Sequence, residues 1–207
     1  MIVDNFATWG PRDYVELPFI HDQWKVLDVG PGAYPLARAD VYLDQDPERL
    51  EPLDLEGKET MLGNIEDGVP AIMDQAFDYV WCSHVLEHVE NPQKAAATLS
   101  RIAKRGTIVM PSAIKEAIFN FEEEEHRWLV LPNPVDGKPP IFVRHNHGYL
   151  SKLKDNLVQK ATCFLYRTGT HHECTAERAL RGWFQTHEKD LDVIFHWTDE
   201  LQLIVIG

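Results

Sequence analysis

The residues whose types and spacing say most about chemistry lie in Val26-Leu27-Asp28-Val29-Gly30-Pro31-Gly32. An apolar run carries one acid and then breaks into Gly-Pro-Gly. Such a run suits a strand buried on both faces. The glycines let the backbone turn tightly and let a ligand come close. In an open α/β sheet, ligands bind beyond the carboxyl ends of the strands. Asp44, twelve residues after Gly32, ends a second apolar run, Val41 to Asp44. A carboxylate at that point can accept both hydroxyls of a ribose.

Two kinds of cofactor use such a loop. A dinucleotide calls for G-x-G-x-x-G and a helix N-terminus to hold its pyrophosphate. Here Pro35 replaces the third glycine, and only residues 33–40 separate the loop from the next strand. S-adenosylmethionine carries no phosphate and a positively charged sulfur. An acidic wall suits it, and Asp28, Asp44, Asp46 and Glu87 are all expected at one sheet edge. A nicotinamide-dependent oxidoreductase and a non-catalytic binding protein remain as alternatives.

Further along, His84 follows the fourth apolar run. It is the best candidate for a general base, needed only where an acceptor must lose a proton. Its other reading is a positioning or packing histidine. His126 follows the acidic run Glu122 to Glu125. It is the second catalytic candidate, and with Arg127 and Trp128 it could meet an anionic or sugar-like acceptor. His145, His147, His171, His172, Glu173 and Cys174 match no pair of structural-zinc spacings, so no metal site is expected.

These residues need a scaffold. Strands are expected at Lys25 to Gly30, Val41 to Asp44, Thr60 to Leu62, Phe77 to Cys82 and Thr107 to Met110. Asn91 is a good N-cap, Pro92 suits N1, and Gly106 reads as the C′ stop of a helix with Ala95, Leu99 and Ile102 on one face. Strands alternating with helices imply a parallel sheet with right-handed crossovers. Lys115 to Trp128 reads as partly helical. Trp128 to Leu131 and Ile141 to Val143 read as an inserted hairpin. Leu150, Leu153, Leu157, Val158 and Ala161 fit one helix face, and Thr175 could cap another helix through Phe184. Asp192 to Trp197 and Leu201 to Ile206 read as a terminal antiparallel hairpin. The expected fold is α/β: a Rossmann-like, doubly wound, seven-stranded and mostly parallel sheet closed by that hairpin. It forms one domain over 1–207, with a cofactor half at 1–112. An acceptor-shaping insert follows at 113–149, and closing helices and hairpin at 150–207.

Five segments together resemble the class I S-adenosylmethionine-dependent methyltransferases, especially the small bacterial type with a generic methyltransferase domain. They are VLDVGPG (26–32), YLDQDPE (42–48), LGNIEDGVP (62–70), FDYVWCSHVLEHVENP (77–92) and KRGTIVMPS (104–112). The resemblance covers about half the chain. It implies that Asp28, Gly30 and Gly32 hold the amino acid end of the cofactor. It implies that Asp44 binds the ribose hydroxyls with Gln45 beside the adenine, and that Asn64 and Ile65 contact the adenine. Cys82, Ser83 and His84 would line the site beneath the methyl group, and Glu87-His88 belongs to the family's LEH motif. The product would be S-adenosylhomocysteine.

Composition narrows the partners. The chain has 207 residues, with 20 Lys and Arg against 33 Asp and Glu, for a net charge of -13. Polyanions are bound through basic patches, so nucleic acid and anionic membranes are poor partners. A small-molecule or glycan-type acceptor is expected. The three cysteines form no CxxC pair and make no disulfide framework. The N-terminus lacks an apolar signal region and no run is long enough to span a membrane, so a cytoplasmic protein is expected.

Overall fold

The structure is a computed structural model that describes residues 20–32, 34–119, 126–145 and 191–207. The helices expected at Leu150 to Ala161 and from Thr175 to Phe184 lie outside the described residues, as do His147, His171, His172, Glu173 and Cys174.

Four parallel crossings build the main sheet. Strands β1 (Val26–Val29), β2 (Val41–Asp44), β3 (Glu59–Leu62), β4 (Tyr79–Ser83) and β5 (Arg105–Pro111) are followed by β8 (Asp192–Thr198), which returns antiparallel beside β5. The order is β3-β2-β1-β4-β5-β8. Side chains alternate between two apolar layers, as the two-residue strand period requires. Leu27, Val29, Leu43, Val80, Cys82, Ile108 and Met110 face one layer. Val26, Tyr42, Tyr79, Trp81 and Val109 face the other. Both faces are therefore covered, which explains why these strands read as continuous apolar runs.

Helix α1 (Pro47–Leu55) crosses between β2 and β3. Its signal was a cap rather than a stripe: the Asp46 side chain accepts from the Glu48 N–H at 3.0 Å, with Pro47 at the first helical position. Helix α2 (Pro92–Ile102) starts where expected, with Asn91 Oδ1 accepting from the Lys94 N–H at 3.0 Å. Gly106 does not stop it. The helix ends at Ile102, and Gly106 lies inside β5. A Cβ at that position would collide with the Val80 carbonyl oxygen, so glycine is there to let β4 and β5 close together.

The expected inserted hairpin is present. Helix α3 (Ala113–Phe119) leads toward strands β6 (Trp128–Leu131) and β7 (Ile141–Arg144), which pair antiparallel. The terminal hairpin is not made as expected, and among the described residues the main sheet has six strands rather than seven. The last strand, β9 (Ile204–Ile206), leaves the main sheet and pairs in parallel with β7. The reason lies at Leu201, which is buried, and whose N–H donates to Ser100 Oγ on α2 at 2.8 Å. That anchor carries the chain past β8 to the open edge of β7.

Two charged contacts lock the ends of this arrangement. Lys115 Nζ on α3 donates to Asp192 Oδ1 at the start of β8 at 2.7 Å, with both side chains fully buried. Asp78 accepts from Lys104 Nζ at 2.7 Å and from the Lys25 N–H at 3.0 Å, tying the start of β1 to the entry of β5. The Lys104 hydrogen bond, followed by that of the Lys25 N–H, holds the Asp78 carboxyl below its usual range. No helix among the described residues is long and apolar enough to cross a membrane.

Removing one member of a buried pair leaves an uncompensated charge, so Lys115→Met is expected to lower unfolding free energy by about 3–5 kcal/mol in urea. A depressed carboxylate stabilises above its unfolded pKa and loses that contribution as pH falls through its folded value. Acidification from about pH 6 to about pH 3 should therefore destabilise wild type more than Asp78→Asn, as read from urea midpoints at each pH.

Candidate active site

The carboxyl ends of β1, β2 and β4 meet at one edge, and a cavity of about 440 Å³ opens there. That is ample for a nucleoside-sized ligand. Val29 and Gly30 form its floor with Leu43, Asp44 and Gln45. Asn64, Ile65 and Glu66 enter from the turn after β3, and His84, Val85 and His88 from the turn after β4. Asp46, Arg49 and Arg127 also line it.

Six of the residues named from sequence thus come together: Gly30, Asp44, Gln45, Asn64, Ile65 and His84. Gly30 has φ +67 and its N–H donates to the Leu43 carbonyl at 2.8 Å. A Cβ there would collide with the Val85 side chain, so the loop after β1 and the turn after β4 touch only because residue 30 is glycine. Asp44 is mostly buried, and its Oδ1 accepts from the Asp46 N–H at 2.9 Å. The Asn64 carbonyl oxygen accepts from the Glu66 N–H at 2.8 Å and caps the short 3-10 turn Ile65–Asp67. Its amide then donates to Gln45 Oε1 at 2.9 Å, which fixes how both amides are turned.

Five other named residues are not among those lining the cavity. Asp28 is fully buried, and its Oδ2 accepts from the Leu36 N–H at 2.7 Å. It braces the glycine loop from below instead of facing the cavity. Gly32 lies further along the same loop. Cys82 and Ser83 are buried within β4. His126 is buried, with Nδ1 against Glu116 Oε1 on α3. The acidic wall expected from Asp28, Asp44, Asp46 and Glu87 is therefore redrawn. Asp44, Asp46 and Glu66 line the cavity, whereas Asp28 and Glu87 are interior.

The turn after β4 is the unusual part. His84 has φ +56, a left-handed conformation uncommon for any residue but glycine, and its N–H donates to the Val109 carbonyl at 2.8 Å. Strain of this sort collects at functional sites when the surroundings hold it in place. His84 Nδ1 lies 3.3 Å from Glu87 Oε1, and His88 Nε2 lies 3.9 Å from the same oxygen. The Glu87 side chain has no exposure, and neither of its oxygens has a well-aligned hydrogen bond. Burial pushes its pKa up, but the contact with His84 and the field of His84, His88 and His126 outweigh that and hold the carboxyl below its usual range. His88 and His126 meet edge-on, with ring centroids 4.5 Å apart.

The insert docks on this same turn. The Arg127 and Trp128 N–H groups both donate to the Glu87 carbonyl, at 2.8 and 3.2 Å. Trp128 Nε1 donates to the Val89 carbonyl at 2.8 Å. Arg127 and Arg144 both pair with Glu90. Glu66 accepts from the Glu90 and Asn91 N–H groups at 3.1 and 2.6 Å. Sequence reasoning missed Glu66, Arg49 and Glu116. Glu66 lies within segment 62–70, whereas Arg49 and Glu116 lie outside the five segments, and only their position in the fold singles them out.

The residues present fit S-adenosylmethionine. Gly30 and Asp44 line the cavity at the ends of β1 and β2, and Asp46 and Glu66 add negative charge beside Arg49 and Arg127. His84 lines the cavity with Nδ1 3.3 Å from a buried carboxylate, a place from which an imidazole can accept a proton.

Residues 27–110 match the family model described as a methyltransferase domain. A search of the curated proteins found no match. Among solved structures, a S-adenosylmethionine-dependent methyltransferase from Thermotoga maritima is similar, with 17% identity and a TM-score of 0.45 over 53% of this chain and 55% of that one. A S-adenosylmethionine-dependent methyltransferase from Aquifex aeolicus has 21% identity and a TM-score of 0.34, over 44% of this chain and 57% of that one. An arsenic(III) S-adenosylmethionine methyltransferase from Chlamydomonas reinhardtii has 19% identity and a TM-score of 0.38, over 43% of this chain and 39% of that one. The chain thus spans about half the length of the Thermotoga protein. Segment 27–110, less than half of the chain, is thus similar to a methyltransferase domain.

Proposed function

We propose that this protein transfers the methyl group of S-adenosylmethionine to an oxygen or nitrogen of a small-molecule or glycan-type acceptor. The observation that carries this reading is the cavity at the carboxyl edge of the sheet, with Gly30 and Asp44 on its floor and His84 braced by Glu87 on its wall. When bound, the cofactor supplies an electrophilic methyl group on a cationic sulfur. The chain's own task is then to position and to manage protons.

Gly30 and Gly32 give the amino acid end its close approach, with Asp28 bracing the loop. Asp44 takes the ribose hydroxyls. Gln45, Asn64 and Ile65 surround the adenine, with the Asn64 amide already oriented by the Glu66 N–H. Cys82 and Ser83 back the site from within β4. His84 takes the proton of a hydroxyl acceptor, and Glu87 steadies the imidazolium so formed. His126 acts from behind His88. Arg127 at the cavity meets an anionic or polar acceptor, and the net charge of -13 disfavours nucleic acid.

Calorimetry with S-adenosylhomocysteine and with NAD tests this reading. The nucleoside is expected to bind and NAD is not; NAD binding alone would overturn it. Asp44→Ala should weaken S-adenosylhomocysteine by about 1–3 kcal/mol, since it strips charged hydrogen bonds, and unchanged affinity would remove the ribose assignment. Gly30→Ala forces φ +67 on a side chain and collides with Val85, so it should lower both the melting temperature and the affinity for S-adenosylhomocysteine.

A further inference from the structure

The turn after β4 holds a second constellation, which shares Glu87 with the proton-acceptor arrangement described above. Glu87, His88 and His126 each offer one ligand atom, and these atoms all lie within 4.8 Å of one another. Three ligands at about 2.1 Å from one ion stand about 3.0–3.6 Å apart, so each side chain would shift by up to about 1 Å to close the group. The three residues come from two separate parts of the chain. The insert brings His126 to the turn through its backbone hydrogen bonds to the Glu87 carbonyl.

Three independent features point to a cation at this point. Glu87 is a fully buried carboxylate whose two oxygens both lack an aligned donor. A buried anion in that state is costly unless a positive charge stands against it. His126 Nδ1 is taken by Glu116 Oε1, the carboxylate–histidine arrangement that orients metal-bound imidazoles and assigns Nε2 to the ion. His88, by contrast, lines the cavity, so the group faces the site where an acceptor must sit.

We propose that Glu87, His88 and His126 bind one divalent first-row transition ion, with open coordination positions toward the cavity. Two imidazoles and one carboxylate select such an ion over magnesium or calcium, which prefer oxygen ligands throughout. The ion's role rests on the methyltransferase reading, although its binding does not. It would hold a hydroxyl of the acceptor beside the cofactor and lower that hydroxyl's pKa, with the released proton passing to His84 or water. The acceptor class narrows accordingly to molecules with an ionisable oxygen.

Chelator-treated protein titrated with Co²⁺ tests the site without any turnover. One ion per chain is expected, with visible ligand-field bands and no thiolate charge-transfer band. His88→Ala, whose side chain is partly exposed, should fold as wild type by circular dichroism and weaken Co²⁺ on the order of 100-fold or more. Glu87→Gln should do the same, and if it does not fold, His88→Ala alone decides. His21→Ala, before the opposite end of β1, should leave affinity unchanged. Absence of saturable binding, a thiolate band, or undiminished affinity in His88→Ala would overturn the site. S-adenosylhomocysteine binding is measured separately on metal-free protein: its loss there, with Co²⁺ bound as expected, removes the methyltransferase reading and leaves the metal site standing.

Discussion

A carboxylate withdrawn from water loses several kcal/mol of solvation, and the surrounding structure must return it through charge or hydrogen bonds. Glu87 sits under that constraint with no exposure at all. Three histidines surround it, two from its own turn and one from the insert. Its main chain adds a second tie, since its carbonyl accepts from both Arg127 and Trp128. One residue therefore joins the catalytic edge of the sheet to the segment that covers it. The left-handed backbone at His84 follows from the same demand, because it turns the chain so that residues 84, 87 and 88 surround a common point.

The remainder of the site is built by close approach. Gly30 brings the loop after β1 against Val85, so the cofactor loop and the histidine turn share a wall. Gly106 does the same for β4 and β5 one layer away. At the far side, the Lys115–Asp192 pair holds α3 to β8, and α3 in turn presents Glu116 to His126. The insert is thus fixed at two points: by a buried ion pair near its start and by backbone hydrogen bonds to Glu87 at the start of β6.

Much of this was legible from residues alone where the signal is local. The strands of the parallel sheet appear as apolar runs because both faces are covered. Asn91 and Pro92 announce α2 because capping depends on adjacent residues. Helix α1 was missed because its apolar positions are few and its cap, Asp46, also looked like part of an acidic wall. The terminal strands were paired with each other because a short link usually makes a hairpin. Burial of Leu201 against α2 decided otherwise.

The sequence by itself determined the loop and strand end at the carboxyl-edge cavity. Gly30 and Asp44 reach it through local backbone freedom and through position at a strand end, both of which spacing reveals. Only the tertiary structure decided which acids face the cavity and which lie beneath it, since Asp28 and Asp44 both end apolar runs and differ only in register and packing. Only the tertiary structure, too, brought Glu116 and His126 to Glu87 and His88. Residues 39 positions apart meet there because two segments dock, and no local pattern records a contact made across that distance.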